Sequence, residues 1–438
     1  MLSTIATPLS RRGWARSCAL FAALSLCAAS AAHAQQAGLT LDAALRIATS
    51  RSSLIQAAQA SVRGSSDLVV KAGQLPNPTL NLSVQDLPIN GRQAFTIGQD
   101  NLTMRGIGIQ QEWVSAKKRR LQTTLADRAA DRDQSTYLEK VADVRQQTAM
   151  AWINAVYAKK AAALSEMLVD HLSEELTVSE ASYRGAKGTA LDVAQAKLTL
   201  GNARDELISA QQNEKTALID LSRWTAGDVL AVADDPPEWV SHVSDLSVEQ
   251  LDHVQPALIA TRSAISLADA DTDVARSNRS PNWTWGVTYF KSGGNFPDYV
   301  SVGVSIPLPL NRRNLEDRDV DQKAEMGTQA RLTYEDTQRE VMAEIQSLAA
   351  KLASGQARLA NMKQTVLPAA QQKVALANAA YRSGTGTLAE ALDAKHLQLE
   401  TDLQVLNLER DVYLIWAQLE YQVVPPEMVA VNDGAHHE

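Results

Sequence analysis

Cysteine is nearly absent. Its two copies, Cys18 and Cys27, both fall within the first 34 residues, so from residue 35 onward there is no thiol for a disulfide or a thiolate metal centre. Aromatics are sparse, at 5% with four phenylalanines, which leaves aliphatic side chains and alanine to build most of the core. Positive charge is not in excess. The net charge is −8, from 42 Lys and Arg against 50 Asp and Glu, and that balance excludes a general nucleic-acid binder. Beyond residue 34 no apolar run approaches the ~18 residues of a membrane-crossing helix. Phosphate loops, His-Glu-x-x-His pairs and nucleophile elbows are missing, so neither an enzyme nor a cofactor is expected. His171, His242, His253 and His396 are scattered without ligand spacing, and the methionines are dispersed, so no metal site is expected. The terminal His436-His437 reads as a disordered end.

The N-terminus reads as an export signal. Arg11, Arg12 and Arg16 precede an apolar stretch over residues 18–29, and Ala32-His33-Ala34 places small residues at both positions of a cleavage site. Residues 1–34 are therefore expected to be a cleaved signal peptide. A lipoprotein signal ending at Cys27 would want a small residue where Leu26 stands. Arg11-Arg12 reads as an ordinary positive leader rather than a twin-arginine one. Cleavage would leave 404 residues (438 less 34) with a charge of −11, from 39 Lys and Arg against 50 Asp and Glu. An exported, cysteine-free chain without a helical span suits the periplasm or an outer-membrane β-barrel of a Gram-negative envelope.

What is present is a duplication. Tyr183-Arg184 leads through Gly188-Thr189 to Asp192 and Ala196-Lys197; Tyr381-Arg382 leads through Gly386-Thr387 to Glu390 and Ala394-Lys395, each pair 198 residues apart. Leu39-Thr40-Leu41-Asp42 and Leu246-Ser247-Val248-Glu249 open the two copies, and Pro76-Asn77 and Pro281-Asn282 end a helical stretch in each. The expected organisation is a first repeat over 35–240, ending near Asp234-Asp235-Pro236-Pro237, a second over 241–424, and a tail over 425–438.

Each repeat carries two runs with strand periodicity. Leu80, Leu82 and Val84 alternate with Asn81, Ser83 and Gln85; Ile107 and Ile109 alternate with Gly106, Gly108 and Gln110. Trp283, Trp285, Val287 and Tyr289 alternate with Thr284, Gly286 and Thr288, and Val300, Val302, Val304 and Ile306 with Ser301, Gly303 and Ser305. The polar faces use small residues and amides, as a water-filled lumen would, though a small soluble sheet alternates in the same way. Four strands are too few for a membrane barrel, whose floor is about 8, and an open edge in lipid leaves amides unpaired. In a membrane the chain would therefore have to pool strands with other copies. Trp283 and Trp285 read as part of an interfacial aromatic girdle, with a place in a core as the alternative.

Between the strands and the glycine turns run long helices. Residues 114–184 and 387–421 contain neither proline nor glycine. In the second stretch Leu392, Leu399, Leu406 and Tyr413 form one seven-residue seam and Val405, Val412 and Leu419 another, with Leu408 and Ile415 beside them. Two seams suit a helix with neighbours on both sides, as in a wall of helices or a soluble bundle. The basic run Lys117-Lys118-Arg119-Arg120 reads as a solvated or lipid-headgroup anchor.

On these residues the chain resembles the TolC-like outer membrane efflux family. The most specific element is Tyr381-Arg382-Ser383-Gly384-Thr385-Gly386-Thr387, continuing to Glu390 and Asp393-Ala394. Leu75-Pro76-Asn77-Pro78, the basic run, and Ser305-Ile306-Pro307-Leu308-Pro309-Leu310-Asn311-Arg312-Arg313-Asn314 are similar to the heavy-metal, CzcC-type branch. The resemblance implies an α+β membrane protein. Duplicated halves would give a four-stranded antiparallel contribution to a trimeric, twelve-stranded barrel, continued by a long periplasmic α-helical tube. It implies an outer-membrane, passive exit duct that works with a periplasmic adaptor (membrane fusion) protein and an inner-membrane RND-type pump. The cargo implied is divalent heavy-metal cations. Multidrug or type I secretion cargo, and a soluble periplasmic coiled-coil scaffold, are the alternatives.

The resemblance also assigns residues. Arg184, Gly185, Gly188, Thr189, Arg382, Gly384, Gly386 and Thr387 would form the adaptor-docking tip, although glycines there also serve as plain helix caps. Asp192, Tyr381, Glu390 and Asp393 would form the periplasmic gate, with Glu390 and Asp393, three apart, on one helix face. The first copy departs from the pattern: Ala186 stands where the second has Gly384, and Gln195 where it has Asp393.

Overall fold

The computed structural model describes residues 38–234, 236–293 and 296–433; the expected signal peptide with Cys27, Asp235, and the His436-His437 end lie outside them. The chain forms two compact units, and each draws on both sequence repeats. One gathers residues up to 52, 144–242 and 348–421; the other gathers 53–143, 243–347 and residues from 422 on.

Helices α1 (Leu41–Arg51) and α2 (Ser53–Ala72) lead into strands β1 (Thr79–Gln85) and β2 (Met104–Trp113). Helices α3 (Ala116–Arg184) and α4 (Ala190–Thr225) follow. The second repeat has α5 (Val248–Val254), α6 (Pro256–Asn278), β3 (Trp283–Ser292) and β4 (Tyr299–Ser305). Then come α7 (Glu316–Asn361), a π turn (Met362–Val366), α8 (Leu367–Ser383), α9 (Leu388–Glu420) and α10 (Pro426–Asp433).

In the unit that holds the strands, all four form one antiparallel sheet in the order β1-β2-β3-β4, so β2 of the first repeat pairs with β3 of the second. The period-two pattern is realised across the register. Leu82, Ile107, Tyr289 and Val300 lie side by side and are 73%, 51%, 43% and 67% exposed. The row Asn81, Gly108, Thr288 and Ser301 makes the other face. Strands β1 and β4 have a neighbour on one side only.

The helix-to-strand joints correct the reading of the basic run. Lys118 is buried, and its Nζ donates to Asn282 Oδ1 at 3.2 Å and to Ser280 O at 3.5 Å. Arg119 Nη1 donates to Gly73 O at 3.1 Å. These two cations tie the proline joints of both repeats to the start of α3. A buried ammonium needs such acceptors, which is why Lys118 cannot serve as a free headgroup anchor. Lys117 and Arg120 remain exposed. Elsewhere in this unit Ser135 and Ser263 join α3 to α6 at 2.8 Å, and Arg331–Asp269 and Lys323–Asp271 join α7 to α6 at 2.6 and 2.8 Å.

At 69 residues, α3 is about 100 Å long at ~1.5 Å per residue. In the other unit its middle is buried nearly all round, through Thr148, Ala149, Trp152, Ile153, Ala155, Val156 and Tyr157. Both α9 seams are covered: Leu399, Val405, Val412, Tyr413 and Leu419 are buried, and Leu392, Leu406, Leu408 and Ile415 half-buried. Aromatic donors then hold the non-helical segments. Trp152 Nε1 donates to Leu39 O at 2.7 Å, Tyr413 Oη to Pro237 O at 3.0 Å, and Trp416 Nε1 to Val240 O at 3.0 Å. Among the described residues no helix is long and apolar enough to cross a membrane.

Candidate functional site at the hairpin tips

The two glycine-bearing turns fold alike, hydrogen bond for hydrogen bond. In the first, which joins α3 to α4, Ala186 N donates to Tyr183 O, and Lys187 N and Gly188 N both donate to Ser182 O, at 3.0, 2.9 and 3.2 Å. In the second, which joins α8 to α9, Gly384 N donates to Tyr381 O, and Thr385 N and Gly386 N both donate to Ala380 O, at 3.1, 3.0 and 3.1 Å. These bonds satisfy the carbonyls that a helix end leaves open. Close approach demands glycine at 386, where a Cβ would stand 2.9 Å from Ala380 Cβ, and leaves little room at Gly188, where it would stand 3.2 Å from Ser182 Cβ.

The next helices begin with matching capping boxes. Thr189 N donates to Asp192 Oδ2 at 2.8 Å while Asp192 N donates to Thr189 Oγ1 at 3.2 Å; Thr387 N and Glu390 Oε2, and Glu390 N and Thr387 Oγ1, repeat both distances. Hydrogen bonding from the threonine amide holds both carboxyls below their ordinary range, although both are fully exposed. The two acids assigned to one face therefore differ in employment. Glu390 closes the cap of its own helix, whereas Asp393 faces a cavity of about 490 Å³ between the hairpins.

Glu175, Asp192, Gln195, Lys187 and Asp393 line that cavity. Burial, and then the neighbouring Asp393, push the Glu175 carboxyl above its usual range. Tyr381 is 45% exposed, and the structure does not join its side chain to Asp192. Arg184, Gly185, Arg382 and Thr387 sit at the exposed surface of the turns. Glu175 and Lys187 were not among the residues expected at this site. Glu175 lies more than two helical turns from the repeated motif and reaches the cavity only through packing. Lys187 was within the motif, where the second copy has Thr385.

In the sheet-bearing unit, Trp283 pairs with Trp113 across β2 and β3, their rings 5.9 Å apart, and Trp285 follows on the same face. Trp113 carries no signal of its own in the sequence, because it lies past the alternating run of Ile107 and Ile109. Among the described residues no cluster of three or more His, Cys, Asp or Glu side chains suits a metal ion.

A family model described as outer membrane efflux protein matches the chain twice, over residues 44–227 and 248–421. The cobalt-zinc-cadmium resistance protein CzcC of Cupriavidus metallidurans is 23% identical over 394 residues, covering 86% of this chain and 87% of the relative. Among solved structures, the outer membrane protein VceC of Vibrio cholerae aligns with a TM-score of 0.71 at 17% identity, covering 87% of this chain and 95% of that one. CusC, described in terms of transmembrane channel formation, aligns at 0.72 and 16% identity, covering 87% and 91%. At these identities the structural likeness bears on the fold.

Proposed function

The chain belongs to the outer membrane efflux protein family, whose members are transport ducts rather than enzymes, and from that premise we propose that it is the passive exit duct of a tripartite efflux system. Three copies pool their strands into a closed twelve-stranded barrel, which the long helices continue as a tube on the periplasmic side. The observation that carries this reading is the sheet. Its apolar face is exposed, its other face is small and polar except for Met104, Phe290 and Tyr299 towards one end, and both edges are open. An unpaired amide in lipid costs several kcal/mol, and the smallest closed barrel has about 8 strands, so four strands need partners. At 10 residues each, β2 and β3 match the roughly 9–11 that a tilted membrane strand requires. Trp113, Trp283 and Trp285 supply one interfacial girdle.

The tips take the adaptor, which bridges to an RND-type pump in the inner membrane. Exposed turns with little side-chain bulk at Gly185, Gly188, Gly384 and Gly386 support that assignment. Asp393, with Asp192 and Glu175 behind it, forms the gate; repeated in three copies, such acids attract cations and repel one another. The cargo is divalent heavy-metal cations, a reading supported by the name of the CzcC relative. In detergent, protein from washed membranes should measure as a trimer; a stable monomer, or a soluble periplasmic protein, overturns the duct. Deleting the gene should sensitise cells to zinc, cobalt or cadmium. Unchanged metal tolerance with new drug sensitivity moves the cargo to drugs, and a secretion defect moves it to type I secretion.

A further inference from the structure

The apolar face of the sheet changes character at one end. Its cross-strand pairs run Trp113–Trp283 next to the helices, then Gln111–Trp285, Ile109–Val287 and Ile107–Tyr289, and close with Arg105–Lys291 at the far end. Arg105 and Lys291 are both exposed and stand directly opposite one another on adjacent strands. Opposed cross-strand Cβ atoms are about 4.5–5.5 Å apart, and like charges placed so are destabilising. Val84 is the neighbour on β1, so no carboxylate flanks the pair there. The nearby Asp298 accepts from Tyr289 Oη and, at 3.3 Å, from Ser292 N. Among the described residues neither cation forms a salt bridge. The Arg105 guanidinium extends against Gly98 of the β1–β2 loop, where a Cβ would stand 3.8 Å from Nη2.

From Trp113 back to Arg105 is eight residues (113 less 105), about 27 Å along a strand and roughly 20 Å across a membrane at a tilt of about 40°. The apolar band of a membrane barrel is about 25 Å tall, so the indoles and the cations stand near its two borders. Both cations sit on the central strands. Copies that pool strands join through β1 and β4, so assembly leaves the apolar face of β2 and β3 uncovered.

We propose that Arg105 and Lys291 bind a phosphate of the phosphorylated glycolipid in the outer leaflet, whose acyl chains lie along Ile107, Tyr289 and Val300. A phosphate accepts bidentately from a guanidinium and takes a further donor from an ammonium. It converts a repulsive cross-strand pair into a bridged one. The helices lie at the other end of the strands, on the periplasmic side, so this end meets the outer leaflet; that placement rests on the duct reading.

Titration of the full-length protein in detergent, washed free of endogenous lipid, tests the site. Bis-phosphorylated lipid A should raise the midpoint of thermal unfolding of the wild type. It should bind the wild type at least about tenfold more tightly than the Arg105→Gln, Lys291→Gln double variant. Either single substitution should lose part of that affinity, which decides the matter if the double variant does not assemble. Without lipid, Lys291→Gln should unfold at a higher midpoint than the wild type, because the like-charge pair is gone. Val84→Gln, in the same row but uncharged in both forms, should bind as the wild type does. Equal affinity for the wild type and the charge-deleted variants, or an equal loss in Val84→Gln, overturns the site. An equal rise with inorganic phosphate or with phosphatidylglycerol overturns the glycolipid as its occupant. Fractionation keeps the two readings apart. A soluble periplasmic protein refutes the duct and with it the leaflet, whereas a membrane-inserted trimer that fails to bind lipid A refutes this site alone.

Discussion

Ala186 and Gly384 occupy the same left-handed backbone position in the two hairpin turns, with φ of 56° and 76°. Glycine reaches this region without cost, whereas an L side chain costs about 1–2 kcal/mol there, partly offset by roughly 0.5–1 kcal/mol of extra chain entropy lost by glycine. Ala186→Gly should therefore stabilise the protein by about 0.5–1 kcal/mol, and Gly384→Ala should destabilise it by about the same amount. Thermal unfolding followed by circular dichroism measures both. Shifts in the same direction would contradict the equivalence of the two turns.

Asp192 and Glu390 set a pH dependence at the tips. Their carboxyls are held below the ordinary range because each accepts from a threonine amide in the folded state. A depressed folded value means that the stabilisation is complete above the unfolded carboxylate range, about pH 4, and is lost as pH falls through the lower folded value. The tips should thus fray below about pH 4 and be unaffected between about pH 6 and 8. Exchange pulses at residues 184–192 and 382–390 across that range would show it. Glu390→Gln keeps an acceptor for Thr387 and removes the titration, so it should abolish the effect in the second tip alone.

The same substitution separates cap from gate. Glu390 is occupied at its helix end, while Asp393 faces the cavity with Glu175 and Asp192. Asp393→Asn should lower cation-over-anion selectivity, read as a shifted reversal potential in bilayers under a salt gradient. Glu390→Gln should shift it less. The reverse order would place the selective charge at Glu390.

Sheet orientation is testable with neighbours on opposite faces. Val302 is 72% exposed on the apolar face, and Ser301 lies on the polar one. Near the middle of a bilayer a lysine facing lipid costs about 2–4 kcal/mol per copy, whereas one facing a lumen is tolerated. Val302→Lys should lower the amount of trimer recovered from outer membranes, and Ser301→Lys should leave it near the wild-type level. Equal recovery would mean that this face does not meet lipid.

Much of this architecture was legible in the sequence because the signals were periodic or repeated. Alternation of Leu80, Leu82 and Val84 with polar partners marked β1, and the lack of proline and glycine over 114–184 marked α3. The two tips announced themselves by recurrence. Thr387-x-x-Glu390 carried the pattern of a capping box in its spacing, and the structure forms that box with a contact of 2.8 Å. What stayed hidden depends on partners distant in sequence. Lys118 finds Asn282 and Ser280 more than 160 residues away, so no local pattern distinguishes it from a surface cation.

The segments that cross the long helices should depend on single aromatic donors. Trp152 is fully buried, and its Nε1 donates to Leu39 O at 2.7 Å. Leu39 in turn bridges to Val232, donating to Ala231 O at 3.0 Å and accepting from Ala233 N at 3.1 Å. Trp152→Phe keeps most of the apolar contact and removes the donor. Because Leu39 O retains one partner, the lost bond should cost about 1 kcal/mol rather than the full penalty of an orphaned carbonyl, and the smaller ring adds a cavity term. A total of roughly 1–3 kcal/mol in urea unfolding, with faster exchange at 231–233, is the expected result. Trp152→Tyr has a hydroxyl at the wrong place for Leu39 O and should not rescue it. Unchanged exchange at 231–233 in Trp152→Phe would show that packing alone, and not the indole hydrogen bond, holds this segment.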